Sequence, residues 1–246
     1  MLLPACPVVI GARCGYNRTM PDYAAHDEAY RRLRAEEERT GWDDTVQQQR
    51  DEDLLDRLAA WPEFPARAGR LLEIGCGAGN AALWFARRGW TVSGVDISAL
   101  AIDWARENAT AAGVPPAFDV GNVLTLDTVA DASMDLVLDG HCLHCIIGGD
   151  RAQVLAAVRR VLKPRGALLV RSMCNDPPRG SPLRASWDPK TRFLMRGGEP
   201  VRYIGLAVAI MAELRDAGFS ISRSEVIPAC DENDVDELLA IARKPA

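Results

Sequence analysis

At 246 residues, with a formal net charge of −5, 48% hydrophobic and 26% charged residues, the chain has ordinary globular composition and enough apolar material for one large core or two small ones. Its mild acidity argues against a nucleic-acid substrate, which calls for a basic face, and no apolar run reaches the length of a membrane span. The seven cysteines, odd in number and scattered, point to reduced thiols in a cytoplasmic setting rather than to a disulfide scaffold.

The first ten residues are apolar but carry Pro4 and Pro7 and no basic leader region, which makes a poor signal peptide. Residues 1–19 read as a disordered extension, with Met20 as the more ordinary beginning. Residues 22–38 place Tyr23, Tyr30 and Leu33 on one helical face, and residues 51–61 repeat the pattern with Leu54, Leu55 and Leu58. Residues 20–68 are therefore expected to form cap helices and a linker, with Trp42 able to serve as a packing anchor between the helices.

The domain proper, residues 69–246, opens on Leu71, Leu72 and Ile74, an apolar run too short for a helix. Gly75, Gly77 and Gly79 follow at alternate positions, and helical composition resumes at Ala81. Strand, tight turn and helix are implied, with backbone N–H groups free at the helix start. A second strand over 91–95 ends at Asp96, whose carboxylate can accept both hydroxyls of a ribose. The unit reads as a nucleoside-binding βαβ start. A dinucleotide fingerprint would need a third glycine at position 80, where Asn80 stands instead.

Downstream, Ser98 can cap a helix that Gly113 ends. Residues 117–120 form a short third strand, and Met134, Leu136, Val137 and Leu138 a buried parallel strand that ends at Asp139. A helix from Asp150, a turn at 163–166, a fifth strand over 167–172, an irregular stretch over 174–200, a helix over 206–217 and an antiparallel pair over 219–227 and 235–243 complete the alternation. The expected fold is α/β: a three-layer αβα sandwich with a mostly parallel seven-stranded Rossmann-like sheet.

The pattern Glu73-x-Gly75-x-Gly77-x-Gly79 with Asp96 resembles motif I and the following acidic motif of class I S-adenosylmethionine-dependent methyltransferases. Leu162-Lys163-Pro164-x-Gly166 resembles the turn before their fifth strand, with Arg165 in place of a glycine. The resemblance covers about residues 71–244, and it implies that the segment before motif I, within residues 20–68, forms a lid over cofactor and substrate with Trp42 as its aromatic contact. It implies S-adenosylmethionine as cofactor, held by Glu73, Gly75, Cys76, Gly77, Gly79, Asp96 and Ile97. It further puts Asn122 and the Val123 backbone N–H on the adenine. Asp139 would approach the methionyl ammonium or fix its loop, and Glu73 would hold the turn and approach that ammonium.

The loop after the fourth strand, Asp139-Gly140-His141-Cys142-Leu143-His144-Cys145, carries two of the three histidines. A structural zinc would need two separated ligand pairs, and no second cluster supplies one, so no metal is expected. Either histidine can instead take a proton from an attacking thiol, hydroxyl or amine; His144, farther from the strand end, ranks before His141. A third reading leaves the histidines as loop hydrogen-bonders and the cysteines as core. The function expected from the resemblance is methyl transfer to a small molecule, with the attacking atom open. Its alternatives are a protein that keeps the fold without turnover, and a nucleotide-dependent oxidoreductase, which the glycine spacing disfavours. A macromolecular acceptor ranks lower, because no Asn-Pro-Pro-aromatic motif follows the fourth strand.

Overall fold

The computed structural model describes residues 26–36, 39–42 and 45–246. Two cap helices, α1 (His26–Arg34) and α2 (Thr45–Ala59), precede the alternating part of the chain. This runs β1 (Arg70–Ile74), α3 (Asn80–Ala86), β2 (Thr91–Asp96), α4 (Ala99–Ala112), β3 (Ala117–Val120), β4 (Met134–Gly140), α5 (Asp150–Val161) and β5 (Leu162–Cys174). A hairpin follows, β6 (Phe193–Arg196) and β7 (Glu199–Tyr203), and then α6 (Ala207–Asp216), β8 (Ser220–Ile227) and β9 (Asp236–Arg243).

Seven strands form one sheet in the order β3-β2-β1-β4-β5-β9-β8. The first five run parallel, and β9 lies antiparallel between β5 and β8. Both faces are covered, which is why the strands read as near-continuous apolar runs. Leu71, Leu136, Leu138 and Leu169 face α3, α4 and the Leu55–Leu58 stripe of α2. Leu72, Ile74, Val137 and Val170 alternate to the other face and meet α5 and α6. The expected three-layer sandwich is the fold observed. Strand order reverses between β1 and β4, so the loops leaving their carboxyl ends part there and open a crevice.

The structure departs from the sequence reading at several elements. α2 starts at Thr45, a turn and a half before position 51, because its polar first half runs over the crevice and buries no apolar stripe. β5 begins at Leu162, which pairs with Met134, so the turn expected at 163–166 is an irregularity inside the strand. Arg165 takes φ +63° there. The 174–200 stretch, expected to be irregular, contains the first strand of a hairpin whose turn, Gly197-Gly198, has φ of +59° and +87°. Positive φ at both central residues is what a type I′ turn requires. The extension over 1–19 and Tyr23 lie outside the described residues. No helix among the described residues is long and apolar enough to cross a membrane.

Candidate active site

A cleft of 660 Å³ lies over the parting of β1 and β4 and is roofed by α1, α2 and the residues between them. On one side it is built by the glycine turn. Asp96 organises that turn: one carboxylate oxygen accepts from the Gly77 N–H and the other from the Ser98 N–H, each at 2.9 Å. The side chain is buried at the cleft wall.

Gly75, Cys76, Gly77 and Ile97 line the cleft. Gly77 sits at φ +53°, and a Cβ there would stand 2.6 Å from the Tyr30 hydroxyl, so the cap helix presses directly on the turn. The Tyr30 ring in turn meets Trp42 edge-on at 5.4 Å, and both rings line the cleft. Trp42 thereby packs against the cap helix and borders the cleft at once. Gly79 does not reach the cleft. It caps α3 in the left-handed conformation, and a Cβ there would stand 2.7 Å from the Phe118 ring, so its role is close packing of helix on sheet.

Glu73 is the unusual group of this half. It is 3% exposed, lines the cleft, and its Oε2 has no hydrogen-bond partner. Burial pushes its pKa up to about 8, against a backbone N–H at Ala82 and the charge of Arg171, which pull it down. A buried acid with an orphaned oxygen in a cleft wall fits an ammonium group. These groups are chemically compatible with the cofactor the motif implies: Asp96 would face the ribose and Glu73 the amine, with the Gly75–Gly77 backbone between them. Asn122 and Val123 also line the cleft, but the Asn122 amide oxygen accepts from its own Leu124 N–H at 2.9 Å. That is an Asx turn, and it leaves one lone pair over.

Asp139 departs from the cofactor assignment. It does not line the cleft; its Oδ1 accepts from the Cys142 and Leu143 N–H groups at 2.9 and 2.8 Å and fixes the loop. Burial raises its pKa to about 6, and its Oδ2 has no hydrogen bond.

The loop so held forms the cleft's other side. Its 3₁₀ turn, Leu143–Cys145, is fastened by Arg151, which donates to the Leu143 and Ile146 carbonyls and lies over the Tyr203 ring. His144 is buried at the wall, its ring 5.4 Å from that of His141. Cys142 packs under Gly75 and burial pushes its thiol well up, whereas Cys145 is half-buried and lines the cleft. Both thiols border the cleft, Cys142 buried in its wall and Cys145 half-buried. No cluster of three or more metal-ligating side chains occurs among the described residues.

His141 stands in a charged chain that the sequence reading missed. Its Nε2 meets Glu237 Oε1 at 3.0 Å; Arg171 Nε donates to the same oxygen at 2.8 Å; and an Arg171 Nη donates to Asp51 at 2.8 Å. Three elements distant in sequence, α2, β5 and β9, supply these partners, and all of them line the cleft. Burial alone would raise Glu237, but His141 and Arg171 outweigh it and hold its carboxyl down at about 2. Burial lowers the His141 pKa and Glu237 raises it, with a net rise. The one sequence signal was Arg171 itself, a charge inside the apolar run of β5.

Residues 72–170 match the family model described as a methyltransferase domain. The chain is 34% identical over 116 residues to an S-adenosyl-L-methionine-dependent Diels-Alderase, iccD, of Talaromyces variabilis, covering 46% of this chain and 39% of that one. It is 34% identical over 104 residues to the methyltransferase GfsG of Streptomyces halstedii, covering 41% and 36%. The chain thus spans less than half the length of these curated relatives. Among solved structures, a 1,6-didemethyltoxoflavin-N1-methyltransferase of Burkholderia thailandensis superposes with a TM-score of 0.69 at 21% identity, over 91% of this chain and 87% of that one.

Proposed function

Starting from a chain whose residues 72–170 belong to the methyltransferase domain family, in a fold of the class I S-adenosylmethionine-dependent type, we propose that it transfers a methyl group from S-adenosylmethionine to a small-molecule acceptor. One observation carries this reading: the turn built by Glu73, Gly75, Gly77 and Asp96 opens into the same cleft as His141 and His144. Cofactor and acceptor can therefore meet inside one cavity, and its 660 Å³ is the size of small-ligand sites. The cofactor supplies an electrophilic methyl group, and this chain's residues bind it, place an acceptor against it and exclude water. In such a displacement placement alone contributes much of the rate. The roof of Tyr30, Trp42 and α2, together with the net charge of −5, supports a small acceptor over a nucleic acid. The free thiols among the described residues support a reducing compartment.

S-Adenosylhomocysteine at saturation should raise the melting temperature by mass action, and a screen of thiol, phenol, amine and metalloid acceptors should release it from S-adenosylmethionine. Stabilisation by a pyridine dinucleotide without stabilisation by S-adenosylhomocysteine would overturn the reading. The Diels-Alderase among the relatives favours one second reading, a protein that holds the cofactor without consuming it. Binding with no S-adenosylhomocysteine release across the screen is its signature.

A further inference from the structure

His141 is held at several points in the cleft wall. It is not glycine, yet it sits at φ +75°, a left-handed conformation that persists only where surroundings impose it. The surroundings are explicit. Its N–H donates to the Arg171 carbonyl at 3.1 Å, its carbonyl accepts from the Cys145 thiol, and its ring nitrogen Nε2 meets Glu237. The side chain remains 30% exposed at the cleft wall, and among the described residues no hydrogen bond engages Nδ1.

From this geometry we propose that Glu237 is the positioning residue of a proton-accepting His141, fixing the ring as its Nε2–H tautomer with a free Nδ1 for an acceptor whose nucleophile is an ionisable O–H, N–H or S–H. The proposal rests on the methyl-transfer reading above and reverses the order of the two histidines suggested by sequence. A carboxylate cannot donate to Nε2, so the short contact requires that nitrogen to carry the hydrogen; the neutral ring then has its lone pair at Nδ1. This is the base-and-orienter arrangement of acyl-transfer triads applied to a different displacement. The proton leaves the acceptor heteroatom for Nδ1 as that heteroatom takes the methyl group. The pair of the broken bond stays on the donor sulfur, and Nδ1 afterwards releases the proton to water.

The remaining charges are arranged around the pair. Arg171 and Asp51 close the chain behind Glu237, Asp139 lies beneath the loop, and His144 and Cys145 flank the ring on its own loop. Arg171 keeps Glu237 ionised, so the orienting carboxylate is held in the form that can accept.

The test reads His141 by nitrogen-15 NMR in the full chain, with and without S-adenosylhomocysteine, the three histidines being assigned through His141→Gln and His144→Gln. Above its titration midpoint the ring should be protonated at Nε2 only, with that midpoint above the ordinary value near 6.5. In Glu237→Gln the midpoint should fall below 6.5, since burial and Arg171 are then opposed only by the smaller pull of Asp51. With thiophenol, catechol or aniline as acceptor, the alkaline-rising limb of kcat should follow the same midpoint. His141→Gln should lose on the order of a hundredfold in kcat, with S-adenosylhomocysteine binding retained. A ring protonated at Nδ1, or a midpoint unmoved by Glu237→Gln, overturns the proposal. So does turnover lost in His144→Gln and kept in His141→Gln. Tautomer and midpoint are read in the wild type without acceptor, so a Glu237→Gln chain that fails to fold does not shield the proposal. Failure of S-adenosylhomocysteine to bind the wild type would strike the methyl-transfer reading instead.

Discussion

The two walls of the cleft are made in opposite ways. The glycine-turn wall comes from residues 73–97, one βαβ passage in which Asp96 bonds the backbone of a turn laid down nineteen residues earlier. The histidine wall is gathered from α2, the loop after β4, β5 and β9, and Asp51 and Glu237, two residues it joins, stand 186 positions apart. The first wall is local and held by main-chain hydrogen bonds, so short-range spacing specifies it. The second is non-local and ionic. It exists only once the sheet has placed β9 beside β5, and its strength depends on charge pairing in a partly dry setting.

The largest effect should come from removing the ion at the centre of the second wall. Arg171 is 2% exposed and answers two carboxylates. Arg171→Leu leaves Glu237 and Asp51 without their partner, and breaking a buried pair from one side costs about 3–5 kcal/mol. Both carboxylates keep some solvent contact, which argues for the lower end. Urea denaturation at neutral pH checks this, and the midpoint should drop with little change in slope. Asp96→Ala breaks the first wall instead. It strands the Gly77 and Ser98 N–H groups, each costing about 1–3 kcal/mol if left unmet in the interior, and should weaken S-adenosylhomocysteine by at least tenfold in calorimetry. If Asp96→Ala proves harmless to binding while Arg171→Leu abolishes it, the division of labour between the walls is wrong.

A pH experiment separates the walls further. Glu73, with a pKa of about 8 against 4.5 ordinarily, is a carboxylic acid in the native state over a range where the unfolded chain has lost that proton. Native binds more protons than unfolded, so this group makes stability fall as pH rises through the window. One proton corresponds to a slope of up to about 1.4 kcal/mol per pH unit. Above about 6, Asp139 is largely ionised in both states and drops out. Urea stability at pH 6.5, 7.2 and 7.9 should therefore decline less steeply in Glu73→Gln than in wild type. His141 contributes to the residual slope, since its raised pKa gives stability at lower pH that is lost as the ring deprotonates. If an ammonium docks on Glu73, wild-type affinity for S-adenosylhomocysteine should rise with pH toward 8 and Glu73→Gln should flatten that rise. Equal slopes in the two proteins would refute the buried-acid assignment.

The same contrast explains what could be read from sequence. The strand periods, the Ser98 cap, which accepts from Ala101, and the Gly113 stop were all legible because each is set by neighbours within a turn. So was the sheet, since five apolar runs separated by helices admit few parallel arrangements. Glu237 was not legible. It lies in a closing strand where an alternating charge ordinarily marks a solvent face, and only the register Met173↔Glu237 brings it over the crevice. The two readings of Asp139 could not be separated in the sequence for a related reason. A strand-end acid beside a ligand crevice has two outlets, and the loop amides of Cys142 and Leu143 took the carboxylate first. The β6–β7 hairpin was hidden by Pro200, which sits inside a strand, although Gly197-Gly198 was a readable turn signal.

The smallest predicted effect lies away from both walls and calibrates them. Where the resembled turn has a glycine, Arg165 occupies φ +63°, a left-handed conformation costing roughly 1–2 kcal/mol for a residue with a Cβ. Its N–H still donates to the Lys244 carbonyl at 3.0 Å, so the backbone geometry is imposed by the β5–β9 pairing rather than chosen by the residue. Arg165→Gly relieves the strain and keeps that hydrogen bond. It also enlarges the unfolded ensemble, which takes back about 0.5–1 kcal/mol. The net expectation is a gain of about 0.5–1 kcal/mol, a rise of a few degrees in Tm at most for a chain of this size. Because Arg165 touches neither wall, S-adenosylhomocysteine affinity and the His141 midpoint should stay at wild-type values. A variant that loses stability would show that the Arg165 side chain contributes more to this edge than its backbone strain removes.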